Sequence, residues 1–246
     1  MKAMVFAAGY GQRLRPLTES LPKALIPLSG RPMIEYPLCL LKKSGITEVI
    51  INLHHLGDKI EAHLGDGKRL GLRIRYLKEE TLLDTGGGLL RARELLRDES
   101  FLVINSDVLI DLPLGELVTT HQRNRAAATL VLRADKDAEQ FGVIETSSDG
   151  RIRRFLGHSA PGPIPDPLNR LMFTGVQLLE PTIFDFMEEG RPFSLTRVTY
   201  PKMLLHGEPL YGLNFSGYWQ DLGTPERLRE TEEKLARGEV KLHFLE

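Results

Sequence analysis

The chain has 246 residues, 41% of them hydrophobic and 26% charged, with a formal net charge of −1. That balance fits a globular α/β domain with a sizeable core, and it excludes the basic field that nucleic acid requires, so any anion binding must be local. The one cysteine, Cys39, excludes an internal disulfide framework and suits a reducing cytoplasm. No stretch approaches the roughly 18 apolar residues of a membrane span, and the N-terminus lacks the pattern of a signal peptide, so a cytoplasmic protein with no membrane partner is expected.

Met4 to Ala8 form an apolar run of the kind a buried parallel strand needs. It stops at Gly9-Tyr10-Gly11, where a tight turn can bring backbone N–H groups to a ligand. Arg13 and Lys23 follow, with Pro16 and Pro22 stiffening the path between them. A guanidinium and an ammonium after such a turn suit a polyphosphate. A dinucleotide G-x-G-x-x-G is excluded by Leu14, and no G-x-x-x-x-G-K-[ST] occurs.

Pro32 to Ser44 reads as a helix, with Pro37 as a conflict that a kink or a late start would resolve. Thr47 to Leu53 is the second strand, a short helix ends near Gly65, and Arg73 to Leu77 alternates as a third strand. This order points to a parallel sheet covered on both faces. In LLDTGGGLLRARELL, three glycines at a helix N-terminus offer a side-chain-free surface to a ring or an anion, or else a flexible connector.

Ser100 to Asn105 is a buried strand with Asp107 at its carboxyl end, where ligands of open α/β sheets collect, although a lone Asp there more often serves a turn or cap. Asp111 reads as local turn chemistry. Leu114 to Asn124 is helical, and strands follow at 126–132, 140–145 and 151–156. Prolines at 161, 163, 165 and 167 require an exposed, extended loop over 157–170. Arg170 to Leu179 returns as a strand, Phe184, Phe186 and Met187 belong to a short helix, and a further helix surrounds Arg197 to His206. In YWQDLGTPERL, Asp221 again follows a strand-like segment, and Thr224 caps a helix with Pro225 at its first position. No H-E-x-x-H or Cys/His cluster is present, so zinc is not expected.

AAGYGQRLRPLT followed by LPKALIPL resembles the N-terminal loop of the sugar-1-phosphate nucleotidylyltransferases, which reads AAGxGTRLxPLT and then PKPLxP. Gln12 and Ala24 depart from that pattern beside the cations and leave the cations themselves in place. LLDTGG, NSDV and YWQDLGTPE resemble three further segments of the family, in the family's order. The resemblance implies a single three-layer α/β/α Rossmann-like domain over 1–246 with a mostly parallel mixed sheet. Residues 1–105 would form the nucleotide half and 106–246 the sugar half.

It further implies nucleotide contacts at Ala8, Gly9, Gly11, Thr85, Gly86 and Gly87, and sugar contacts at Gly142, Thr174 and Gly175. Arg13 and Lys23 would be catalytic, and Asp107 and Asp221 would hold Mg²⁺. The substrates implied are a nucleoside triphosphate and a sugar-1-phosphate. NSDV with FGVI is most similar to mannose-1-phosphate guanylyltransferases, and YWQDLGTPERL also to uridylyltransferases of N-acetylmuramic acid phosphate. The E-K-P segment frequent in the family is replaced here by FLGHSAP. Two other classes compete. A glycosyltransferase would want D-x-D, where Asn105-Ser106-Asp107 supplies one acid, and a non-catalytic sensor would not need all four charged residues.

Overall fold

A computed structural model describes residues 1–136 and 138–245. The chain forms two compact units whose segments interleave along the sequence: Met1–Leu82, Ile104–Leu112 and the residues from Gly217 onward make the first, and Leu83–Val103 with Pro113–Ser216 make the second.

In the first unit the strands Ala3–Phe6, Glu48–Leu53 and Arg73–Lys78 pair side by side in parallel, with Met4 opposite Ile50 and Ile50 opposite Arg75. Ala3, Met4, Val5 and Ile51 have no exposed surface, which is why the first two strands read as continuous apolar runs, whereas the third alternates. Parallel pairing requires crossovers, supplied by the helices Glu35–Lys43 and Gly57–Leu64. The helix expected over 32–44 therefore starts late. Pro37 falls in its first turn, where no N–H is needed, and Pro32 lies instead in a two-residue strand paired with Pro27–Leu28.

The short strands Val108–Ile110 and Trp219–Asp221 pair antiparallel, with Val108 opposite Asp221. The helix Pro225–Ala236 follows, its first turn capped by Thr224 Oγ1, which accepts from Arg227 N at 3.4 Å. Asp111 departs from its expected local role. Its Oδ1 accepts from His243 N at 3.0 Å and its Oδ2 lies 2.5 Å from His243 Nδ1, so it pins the far end of the chain.

In the second unit Asn169–Leu179 pairs antiparallel with Ala128–Arg133 and with Val143–Thr146, and Ile152–Phe155 extends the ladder from Val143–Thr146. Leu210–Asn214 adds to Ala128–Arg133 in parallel. The strand expected over 140–145 is shorter, because Ala138–Phe141 is a helical turn and Gly142, at φ +94°, reverses the chain before Val143. The proline loop is exposed as expected, although His158–Ser159 at its start still pairs with the preceding strand. Pro181–Phe186 is a 3₁₀ helix that leaves Met187 extended. The last helical stretch is a π turn over Leu195–Thr199 that runs into Tyr200–Leu205.

The expected α/β class stands, with a mixed sheet whose parallel pairs include all those described above for the first unit's three long strands. Among the described residues, no helix is long and apolar enough to cross a membrane.

Candidate active site

The site is built on the turn that ends the first strand. A Cβ at Gly9 would meet nothing within 4 Å, so open space lies beside it. Gly11 sits at φ +63°, and a Cβ there would lie 2.8 Å from the Thr18 methyl and 3.0 Å from Lys23 Cβ, so this glycine serves both conformation and close packing. Ala8 is buried, and Leu14, where a dinucleotide motif would put its third glycine, has no exposed surface and anchors the 3₁₀ turn Gln12–Leu14.

Lys23 opens a second 3₁₀ turn behind the extended Pro22, and its side chain is only 14% exposed. Its Nζ rests against Asp107 Oδ2. Asp107 is held at that place by two backbone bonds: Ser106 N donates to Phe6 O at 3.1 Å, and Leu222 N donates to Asp107 O at 2.9 Å. The second of these links it to the segment of Asp221. There, Asp221 Oδ1 accepts from Gly223 N at 3.2 Å and Arg227 Nη1 at 2.7 Å, with Arg13 Nη2 at 3.9 Å. A Cβ at Gly223 would collide with the Arg13 guanidinium, so glycine is what lets Arg13 approach.

The structure thus gathers Arg13, Lys23, Asp107 and Asp221, the four charged residues picked from the sequence, into one unit. Arg227 joins them and was missed, because a basic residue in the first turn of a capped helix reads as solvated surface; its place six residues after Asp221 was the only signal. Three cations meet two carboxylates, and the positive excess favours an anion with several oxygens. Among the described residues, no group of three or more His, Cys, Asp or Glu is placed to hold a metal. Two carboxylates fit a hard divalent cation that completes its shell with phosphate oxygens and water.

The remaining predicted residues lie in the second unit. Thr85, Gly86 and Gly87 occupy the first turns of the helix Asp84–Arg91. Gly86 N donates to Phe193 O at 2.8 Å, and Thr85 Oγ1 accepts from Leu195 N at 3.0 Å. A Cβ at Gly86 would strike the Phe193 ring and lie 2.7 Å from the Phe193 carbonyl. At Gly86 the side-chain-free face is therefore filled by the chain's own segment 193–195. Gly86→Ala should lower stability by about 2 kcal/mol, because ring and backbone must both give way. Urea denaturation checks this, and an unchanged midpoint would show that the segment is free to move.

Thr174 is 1% exposed, and its Oγ1 donates to Val131 O at 2.8 Å. Gly175, at φ +89°, lies within the register shift between Phe173 and Gln177. A Cβ at Gly142 would run into Leu156 Cδ2.

The nucleotidyl transferase family model matches residues 2–238. Over 237 residues the chain is 36% identical to mannose-1-phosphate guanylyltransferase of Mycobacterium tuberculosis, covering 96% of this chain and 65% of that one, so it spans just under two thirds of that relative's length. It is also 36% identical over 235 residues to N-acetylmuramate alpha-1-phosphate uridylyltransferase of Neisseria meningitidis, covering 94% of this chain and 97% of that one. A Bacillus anthracis crystal structure with the provisional name glucose-1-phosphate thymidylyltransferase superposes with a TM-score of 0.80 at 24% identity, over 98% of this chain and 96% of that one. The sequence motifs, the fold and these matches agree, and the chain belongs to the nucleotidyl transferase family.

Proposed function

We propose that the protein transfers a nucleoside monophosphate from a nucleoside triphosphate to a sugar-1-phosphate, giving an NDP-sugar and pyrophosphate. The observation that carries this reading is the convergence of Arg13, Lys23 and Arg227 with Asp107 and Asp221 beside the glycine turn. A phosphate oxygen of the sugar-1-phosphate attacks the α-phosphorus in line. The bond from that phosphorus to the oxygen bridging to the β-phosphate breaks, and its electron pair leaves with pyrophosphate. The acceptor is already anionic, so no protein nucleophile is needed, and the protein's task is positioning and charge neutralisation.

Arg13 and the N–H groups of residues 8–11 hold the β- and γ-phosphates. Lys23 moves from Asp107 to the α-phosphate and the incoming phosphate. Asp107 and Asp221 would hold Mg²⁺, which would supply further charge neutralisation there. Arg227 keeps Asp221 in place through its 2.7 Å bond. By the family resemblance the segment of Thr85, Gly86 and Gly87 is assigned to the base, and Gly142, Thr174 and Gly175 to the sugar. Gly86, packed behind Phe193, and buried Thr174 shape these places rather than offering a side chain to the ligand.

For substrates we favour GTP and mannose-1-phosphate, on the NSDV and FGVI segments and the mycobacterial relative. UTP with N-acetylmuramic acid 1-phosphate is the second reading, favoured by a relative matched over 97% of its length. Pyrophosphate release from four nucleoside triphosphates against several sugar-1-phosphates tests both. Release is expected only when both substrates are present, and fastest with GTP and mannose-1-phosphate. Fastest release with the uridine and muramate pair replaces the substrate choice. No release from any pair overturns the proposal.

A further inference from the structure

One group of polar contacts has no place in the transfer chemistry. The end of the strand Glu48–Leu53 and the helix behind it reach the glycine turn and its continuation at four points. Asn52 Oδ1 accepts from Ala7 N at 3.0 Å, and His54 Nε2 lies 2.9 Å from the Tyr10 hydroxyl. His55 Nε2 donates to Thr18 O at 2.9 Å, and Lys59 Nζ donates to Ser20 O at 2.6 Å. Thr18 Oγ1 in turn donates to Gly11 O at 3.0 Å.

The base of the group is Glu79, 5% exposed. Its Oε1 accepts from Asn52 Nδ2 at 2.7 Å, and its backbone carbonyl pairs with His54 Nδ1 at 2.9 Å. A carbonyl can only accept, so Nδ1 carries the proton. In the neutral ring Nε2 is then a lone pair, and the Tyr10 hydroxyl donates to it. The Tyr10 ring packs against both imidazoles, with centroids 5.3 Å away at interplanar angles of 85° and 49°.

Polar contacts of this kind usually serve stability alone. Here the tethered element argues for more. Tyr10 is 38% exposed, so its bond adds little to the core. It follows Gly9, beside which a Cβ would meet nothing within 4 Å, so Tyr10 itself braces this side of the turn, whose other side Gly11 closes. An anion cradle works only when its N–H donors are fixed before the charge arrives.

We infer that Asn52, His54 and Glu79 are positioning residues. His54, oriented by the Glu79 carbonyl, acts through Tyr10 to hold the turn over residues 9–11 in the shape that presents its amides to the triphosphate. The ligand in this inference rests on the proposed nucleotidyl transfer, but the holding of the turn can be measured without any substrate.

Two substitutions at one position separate this role from a purely structural one. The side-chain amide of glutamine reaches about as far as imidazole Nε2, and that of asparagine about as far as Nδ1. His54→Gln therefore keeps a partner for Tyr10, whereas His54→Asn keeps only the tie to Glu79. Amide hydrogen exchange over residues 7–11 of the free protein should quicken roughly 10-fold in His54→Asn and in Tyr10→Phe and stay near wild type in His54→Gln, the factor expected for one lost hydrogen bond. In steady state the same two variants should raise KM for the nucleoside triphosphate about 10-fold and leave KM for the sugar phosphate alone. The double variant Tyr10→Phe/His54→Asn should be no worse than either single.

Exchange that is unchanged in His54→Asn, or preserved there and lost in His54→Gln, overturns the inference. So does faster exchange with no change in nucleotide KM. Faster exchange in a protein whose wild type releases no pyrophosphate defeats the proposed reaction and leaves the holding of the turn supported.

Discussion

Asp107→Asn and Asp221→Asn are each expected to lose turnover by roughly 10³ while the protein stays folded. Asparagine keeps the shape and the acceptor oxygen, so Lys23 can still rest on residue 107 and Arg227 on residue 221. What disappears is one negative charge at a site where three cations already face two carboxylates. That loss is small for folding. The side chains are 20% and 14% exposed, so weakening either pair should cost about 1–2 kcal/mol, less than a fully buried pair would.

On the proposed metal site the loss for catalysis is large, because the cation would be left with one of its two carboxylate ligands. The half-saturating Mg²⁺ concentration should rise in both variants, and wild-type turnover should vanish in chelator and return with added Mg²⁺. Turnover that persists in chelator, or variants that need no more Mg²⁺ than wild type, would remove the metal assignment and leave Asp107 as a holder of Lys23 alone.

The second large effect is expected at Lys23. Lys23→Met keeps the apolar stem that packs beneath Gly11 and removes only the charge. Turnover should fall by roughly 10²–10³, as for loss of one preorganised electrostatic contact. Exposed Arg13, with its side chain 60% accessible, should behave similarly as Arg13→Ala, with stability moved by less than about 0.5 kcal/mol. Single-turnover measurement at saturating substrates checks both. Full activity in Lys23→Met would mean that the ammonium only neutralises Asp107.

Much of the site could be read from the sequence because its parts are local. A buried strand, a glycine turn and two cations within residues 4–23 need no tertiary information. The two aspartates stand out only through the family resemblance, since a lone acid after a strand-like segment reads more readily as a turn or cap residue. Arg227 could not be read, because its partner Asp221 is fixed by a strand pairing rather than by helix periodicity. Asp111 was misjudged for the same reason: its partner His243 lies 132 positions away, and no local rule reports that. The glycine run was half legible. Its freedom from side chains is evident in the sequence, but that Phe193 packs against Gly86 is a fact of tertiary packing. Elsewhere the errors were of boundary. Pro37 and Gly142 each moved an element's start by their own backbone rules, and the α/β order survived both.

The pairing of Val108–Ile110 with Trp219–Asp221 has a consequence for how the protein comes into being. The glycine turn, both loop cations and Asp107 are synthesised more than 100 residues before Asp221, Arg227 and the strand that aligns them. Until then Asp107 lacks its partner acid, and Val108, Leu109 and Ile110 lack the strand they pair with. A chain cut before Gly217 can build neither the ladder nor the carboxylate pair, so the site exists only once the segment 219–227 has been made.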